Sequence, residues 1–424
     1  MTDVAPTYAR ALQEIYSLDK FGSRLGLERI RAILRELGSP QGEYRCILVG
    51  GSNGKGSATE MTGAILQEDG ARVGTYFSPQ IERFEERFRV DGKNAGRREI
   101  ADAYATVRKA ADKVAREATF FEVVTAMALV IFERREVDYA VLEVGLGGRL
   151  DAANAVTPEV SILTSLSLEH TDVLGGTVEK IAHEKCGIAR KGKPLVCGAV
   201  PGRAGLAIAK ECAHAGADAI FVEDSVGISG LREKMGRYSF DAAYDGEEYS
   251  VSLLAPGHFQ VSNACCAAVA CSLLGAGKKA VENGLGSANP KFRLEMRGNM
   301  LLDCAHNPEA AAALAKEVAR IGARGKKALL FSAMKDKDYG SVLRTLAPLF
   351  DEIVITEVKL GRGETAEKLA GKAGRRAIIV RDAKKALERA KRIAGKNGLC
   401  AVAGSIYLLA ELFGKDSIKI RLAQ

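Results

Sequence analysis

The sequence predicts an α/β protein made of two doubly wound units, the first larger than the second. Three observations lead there. Short apolar runs alternate with helix-length segments along most of the chain, the rhythm of a parallel sheet with helices on both faces. A glycine-rich turn, GGSNGKGS at 50–57, separates the first apolar run from a helix-like stretch. At 424 residues the chain exceeds the length over which one hydrophobic core keeps growing, so two domains are expected.

Taken in order, strand-like runs at 45–49, 73–77, 139–144, 160–166 and 194–197 build the first unit, with a helix over 58–67 after the glycine-rich turn. Residues 220–254 break the rhythm. Glycine-containing turns and alternating polarity, as in 238–243 and 249–253, predict a short antiparallel excursion, followed by a helix over 262–274. Around 284–299 the chain becomes rich in Gly, Asn and Pro, and strands resume at 300–304, 328–332, 352–356, 377–380 and 399–403. The boundary is expected near 289–298, giving domains 1–290 and 291–424 with the active site in the cleft between them.

Hydrophobic residues at 47% and charged residues at 27% describe a folded chain, and no uninterrupted apolar stretch is long enough to cross a bilayer. The first 20 residues mix charges with short apolar steps and lack an export pattern, so a cytoplasmic location is expected. Nine scattered cysteines, two of them adjacent at Cys265 and Cys266, suit buried thiols in a reducing compartment, with no metal or disulfide role. The formal charge of +8 is interspersed with acids along helices such as 382–396, the pattern of a solvated face. With 6% aromatics and no Trp, base-stacking platforms are not expected. These features point to a protein that acts on small molecules, with neither nucleic acid nor membrane as partner; a monomer is expected, although no residue pattern carries that expectation.

The turn at 50–57 is built to cradle phosphate. Its glycines bring backbone N–H groups close to phosphate oxygens, the helix N-terminus adds partial positive charge, and Lys55 adds a full one. ATP or GTP is the ligand this predicts. The spacing departs from the usual phosphate loop: Val49 stands at the first glycine, and Gly56 follows Lys55, delaying the hydroxyl to Ser57 on the metal side. Glu143 ends the run VDYAVLEVG, where apolar neighbours make an idle charge costly, and a strand-end carboxylate beside a phosphate loop is where magnesium is held. His170, in LEHTDVLG past the next run, is read as joining Glu143 and Ser57 around the metal.

Other residues leave two readings open. His183 and His214 sit in helix-like segments and are read as structural. Lys185, on composition alone, is a solvated lysine of a helix over 177–189. Asp303 and His306 in LLDCAHNPEA place an acid and an imidazole before a proline-started helix, a plausible catalytic turn. Gly257, His258 and Asn263 could equally belong to a helix cap.

Taken together, the segments SNGKGS (52–57), SPQIERFEER (78–87), FFEVVTAMA (120–128), EVGLGGRLDAAN, LEHTDVLG, EKCGIA, GHFQVSN, FRLE (292–295), DCAHNP, DKDY and GSIYL resemble the dihydrofolate synthase and folylpolyglutamate synthase family, within the muramyl-ligase-like ATP-dependent amide ligases. The resemblance implies a P-loop-containing, mostly parallel sheet domain followed by a smaller Rossmann-like α/β domain closing over the nucleotide. It implies that Asn53, Gly54, Lys55, Gly56 and Ser57 hold ATP phosphates, that Asn263 approaches adenine, and that Arg293 and Asp303 complete the nucleotide site. Ser57, Glu143, His170 and Lys185 would serve magnesium, Lys185 after carbamylation, which turns an ammonium into a carboxylate-like anion. Lys55, Lys185 and His306 would be catalytic, and Ser78, Arg83, Phe121, Glu122 and Thr125 would border a pterin. The implied reaction joins L-glutamate to dihydropteroate or to a folate tail. A muramyl-type ligase and a nucleotide-dependent switch are the alternatives. Ser52, Ala153 and Cys304 depart from the residues common in the family, and none removes a charged group.

Overall fold

The computed structural model describes residues 6–18, 25–200, 202–234, 236–374 and 377–415. The first sheet holds β1 (Arg45–Gly50), β2 (Val73–Tyr76), β3 (Phe88–Val90), β4 (Lys93–Asn94), β5 (Tyr139–Glu143), β6 (Pro158–Leu163), β7 (Pro194–Cys197) and β8 (Asp218–Phe221), in the order β4-β3-β2-β5-β1-β6-β7-β8. All pairs from β2 to β8 are parallel, and β3 and β4 extend the edge antiparallel. Val49 pairs with Glu143 on one side and Ile162 on the other, so three strands end level around the turn that follows β1.

The pleat sends alternate residues of β1 into different layers. Cys46 and Leu48 join the core beneath the helix Phe120–Arg134, whereas Ile47 and Val49 pack with Ala58, Met61 and Cys266. The helix Lys55–Glu68 lies against Lys278–Ser287 with almost no space between backbones: a Cβ on Gly284 would stand 2.4 Å from the Ile65 Cα. Only glycine fits there. A three-stranded antiparallel flap, β9 (Gly227–Lys234), β10 (Arg237–Tyr244) and β11 (Glu247–Leu253), buries Tyr238, Phe240, Val251 and Leu253 on one face, while β9 is exposed throughout.

The second sheet runs β12-β13-β17-β14-β15-β16, formed by β12 (Glu295–Arg297), β13 (Met300–Leu302), β14 (Lys327–Phe331), β15 (Glu352–Ile355), β16 (Ala377–Ile379) and β17 (Leu399–Ala403). Only β12 is antiparallel. Leu329 and Phe331 face one core layer of this sheet, Ala328 and Leu330 the other.

Several sequence expectations change. The helix after the phosphate turn begins at Lys55 rather than 58. The run 160–166 is a strand only to Leu163, because Thr164 and Ser165 turn their hydroxyls onto Asn53 O, at 2.6 and 3.1 Å. The helix over 177–189 stops at Lys185, and a 3-10 turn, Cys186–Ile188, follows. The stretch 289–298, read as irregular, contains β12: Phe292 and Leu294 adopt left-handed backbone (φ 55° and 52°) yet bury their side chains, which swings Glu295–Arg297 against β13. The strands β3, β4 and β8 were outside the expected set because they are only three, two and four residues long, and β9 falls within the antiparallel excursion expected over 220–254.

The two units touch at several points. Glu82 is buried and receives Lys291 Nζ at 3.8 Å, Arg297 Nη1 at 3.9 Å and Lys415 Nζ at 3.4 Å, and its carbonyl accepts from Lys415 N at 2.7 Å. Arg320 reaches Glu233 of the flap at 3.0 Å. All nine cysteines are free and buried. Among the described residues, no helix is long and apolar enough to cross a membrane.

Candidate active site

A cleft of about 1560 Å³ opens between the two sheets, and the turn after β1 forms its floor. Gly51 and Gly54 take positive φ, 139° and 90°, and a Cβ on them would lie 2.0 Å from Thr164 Oγ1 and 2.4 Å from Asn263 Oδ1. The loop is thus wedged between Thr164 and Asn263. Lys55, the first residue of the following helix, folds back so that Nζ donates to Gly51 O at 2.8 Å and Ser52 O at 3.2 Å. Lys185 Nζ donates to the same Gly51 O at 3.0 Å and to Glu169 Oε1 at 2.9 Å. Two ammonium groups therefore converge on one carbonyl, beside one carboxylate.

That crowding shows in the acid–base balance. Lys185 is 2% exposed, and burial together with Lys55 lowers its ammonium to about 8 against the pull of Glu169. Burial pushes Glu169 up, but Lys185 and Lys55 outweigh it and hold the carboxyl at about 2. The reading of Lys185 as a solvated helix lysine is corrected: it ends its helix inside the protein.

Glu143 closes β5 with its carboxylate under the loop, where a Cβ on Gly56 would be 3.6 Å away. Its Oε2 accepts from Ser78 N at 2.9 Å, and burial raises its pKa while Lys55, Arg293 and Arg87 oppose that shift. Nearby, Asp151 is buried and accepts from Gly145 N, Leu146 N and Ala153 N, with burial raising its carboxyl to about 6. His170 stands at the N-cap of the turn Thr171–Leu174 with φ 49°. Its Nε2 lies 2.8 Å from Lys337 Nζ, so the neutral ring accepts from the ammonium. Burial first, then Lys337, lowers His170 to about 4.

The second unit supplies the opposite wall. Asp303, just past β13, accepts from Leu294 N at 2.8 Å and Ala305 N at 2.7 Å, and burial lifts its carboxyl to about 6 against Arg293. His306 Nδ1 donates to Cys304 O at 2.9 Å, which leaves Nε2 as an acceptor. Burial and Lys337 hold its pKa at about 4, so the ring is neutral near pH 7. Asn53 crosses the cleft completely: Nδ2 donates to Glu309 Oε2 at 2.7 Å, and Oδ1 accepts from Asn307 Nδ2 at 2.9 Å.

The cleft wall thus gathers Asn53, Gly54, Lys55 and Gly56 of the loop with Glu143, His170, Lys185 and Asn263. Arg293, Asp303 and His306 face them, and Ser78, Phe121 and Glu122 border one side. Three expected residues do not line it. Ser57 is buried, its hydroxyl accepting from Gln260 Nε2 at 3.2 Å. Thr125 is buried and donates to Tyr76 Oη at 3.3 Å. Arg83 precedes the 3-10 turn Phe84–Arg87 away from the wall. Glu122 reaches the wall but spends its carboxylate on Thr119, as a capping box, and on Arg29. Residues missed in the sequence are Glu169, Lys337 and Gln260, while Asn307 was read only as part of the turn that carries Asp303 and His306. An acid directly before His170 was the one local signal; the others come into reach only through folding.

Among the described residues, no three His, Cys, Asp or Glu side chains form a metal cage. Magnesium commonly uses one or two carboxylates and completes its shell with phosphate oxygens and water, so Glu143 beside the phosphate loop is the kind of site it occupies.

Comparison with known proteins gives this geometry a lineage. Residues 49–271 match the Mur ligase middle domain, and residues 293–406 match the Mur ligase glutamate ligase domain. The dihydrofolate synthase/folylpolyglutamate synthase of Bacillus subtilis is 30% identical over 431 residues, covering 96% of this chain and 98% of that protein. The chain belongs to the dihydrofolate synthase/folylpolyglutamate synthase family. A probable bifunctional folylpolyglutamate synthase/dihydropteroate synthase of Haloferax volcanii is 36% identical over 432 residues, and the family chain described here spans 50% of that protein's length. A bifunctional folylpolyglutamate synthase/dihydrofolate synthase from Yersinia pestis, solved with AMPPNP and a Mn ion, superposes with a TM-score of 0.86 at 30% identity over 96% of this chain and 97% of that one.

Proposed function

We propose that this protein is an ATP-dependent amide ligase that joins L-glutamate to dihydropteroate, to the glutamate tail of a folate, or to both, through an acyl phosphate, releasing ADP and phosphate. The observation that carries the reading is the shared cleft, where Lys55 and its loop face His306 and Asp303 across a few side chains. Residues 1–290 would hold ATP and the pterin, and residues 291–424 would close over the nucleotide.

The loop N–H groups and Lys55 draw charge from the γ-phosphate as the acceptor carboxylate attacks it. The amine of L-glutamate then attacks the acyl carbon, and phosphate leaves. His306 Nε2, neutral and facing the cleft, is suited to accept the proton that this amine sheds. Closure of the second unit keeps water from the acyl phosphate.

A magnesium ion would be held first by Glu143 and phosphate oxygens, and would neutralise charge on the transferring group. His170 fits as a nitrogen donor once Lys337 withdraws from Nε2. Lys185 does not fit as an ammonium. Carbamylation would resolve this, and the lowered pKa supports it, because carbon dioxide adds only to a neutral amine.

The test is to incubate the protein with ATP, magnesium, L-glutamate and a panel of pteroate and folate acceptors, and to weigh the products. A ligase forms ADP rapidly only with acceptor and glutamate both present, and its product gains a glutamyl residue. Equal ADP formation with either omitted would leave the nucleotide-switch reading, and activity only on muramyl acceptors would leave the muramyl-type one.

A further inference from the structure

On the side of the cleft bordered by residues 78–87, the wall carries a buried guanidinium that forms no ion pair among the described residues. Arg87 ends the 3-10 turn Phe84–Arg87, is 4% exposed and borders the cleft. Its Nε donates to Gln80 Oε1, and Gln80 Nε2 donates to Tyr16 Oη at 3.0 Å, so the guanidinium is braced from behind. Its Nη1 is buried without a hydrogen-bond partner.

The acids nearby are engaged elsewhere. Glu85 pairs with Arg97 at 2.8 Å, Glu86 accepts from Ile81 N and Glu82 N, Glu122 is held by Thr119 and Arg29, and Glu143 by Ser78 N. The rings of Phe120 and Phe84 lie 5.2 and 5.9 Å from the Arg87 Cζ. A guanidinium removed from water among aromatic rings is costly unless an anion joins it, and its planar fork matches a carboxylate. Of these rings Phe120 lines the cleft, and it offers a face to an arene bonded to that carboxylate.

We infer that Arg87 receives the carboxylate of the acceptor and positions the oxygens that attack ATP. The inference rests on the ligase reading above, in which the acceptor's heteroaromatic ring is uncharged and its carboxylate is the group that can neutralise Arg87. Arg87 faces the same cleft as Lys55 and Glu143, and its field reaches Glu143. A carboxylate held there sits on the acceptor side of the phosphate loop.

Calorimetric titration of the full-length protein, with ADP and magnesium present, against pteroate and its carboxamide tests this. Wild-type protein should bind pteroate at least tenfold more tightly than the carboxamide. Arg87→Met should bind the two equally, at the affinity wild type has for the carboxamide. An R87M variant that keeps the wild-type preference, or loses affinity for both compounds alike, overturns the assignment. Should R87M fail to fold, Arg87→Lys decides: it keeps the charge without the fork, so its preference must fall, and an unchanged preference overturns the assignment. Wild-type protein that binds neither compound defeats the ligase reading itself. Wild-type protein that binds both equally overturns Arg87 alone.

Discussion

The pairing of Lys185 with Glu169 inside the first unit predicts that the two ways of breaking it respond differently to pH. In Glu169→Gln, Lys185 loses its carboxylate but can shed its proton. From a folded-state value of about 8, deprotonation costs about 1.4 kcal/mol per pH unit below it. The penalty is then capped at about 4 kcal/mol at pH 5 and about 1.4 kcal/mol at pH 7, and it vanishes near pH 8. In Lys185→Met the stranded Glu169 loses the main cation that holds it low, but it can escape only by taking up a proton, which becomes harder as pH rises, so the cost of a broken buried pair, about 3–5 kcal/mol, persists at pH 8. The signs follow from proton counting. Lys185 titrates below its ordinary value of 10.5, so the unfolded chain binds more protons between pH 8 and 10.5, and wild-type stability rises with pH through that window. Glu169 titrates below 4.5, so its contribution is complete above that value and is lost as pH falls toward 2. The two variants should therefore be similarly damaged at pH 5 and differ by about 3 kcal/mol at pH 8. Urea unfolding followed by far-ultraviolet circular dichroism measures this in a chain without tryptophan. An E169Q penalty that stays constant from pH 5 to 8 refutes the reasoning.

Three other perturbations follow from the geometry. Gly284→Ala forces a methyl to within 2.4 Å of the Ile65 backbone and should cost about 3 kcal/mol, read as a lower urea midpoint; an unchanged midpoint would show that the two helices part freely. Asn53→Ala removes both interlobe bonds of its amide and should weaken the closed arrangement by about 2 kcal/mol, seen as a larger radius of gyration in X-ray scattering; identical scattering curves contradict it. Because burial keeps His306 near 4, the ratio of wild-type to H306A ligation rates should exceed ten yet stay flat from pH 5.5 to 8; a ratio with a midpoint near 6.5 would mean the ring titrates in that range.

The strands at 194–197 and 399–403 were legible residue for residue, because buried parallel strands are short continuous apolar runs with clear ends. β12 was not: Glu-Met-Arg carries no strand signal, and two left-handed apolar residues before it decide its direction. The phosphate loop was legible because its glycines and Lys55 are adjacent in the chain. Ser57 shows the limit of such reading: its spacing suggested a hydroxyl facing metal, whereas Gln260, 203 residues away, captures it. Lys337 on His170, the Asn53 bridge and the unpartnered Nη1 of Arg87 depend on what tertiary packing brings near, and no local pattern records them. Thr125 was misplaced for a related reason, since a small hydroxyl on a helix can face the cleft or Tyr76 with the same sequence around it.

Glu82 gives the molecule a spine. Three basic side chains grip it from residue 291, from β12 and from the last described stretch, whereas the flap margin is fastened by Arg320 to Glu233. Asn53 ties the same two units at the loop after β1, so they part only when the three cations on Glu82 and the two bonds of that amide let go.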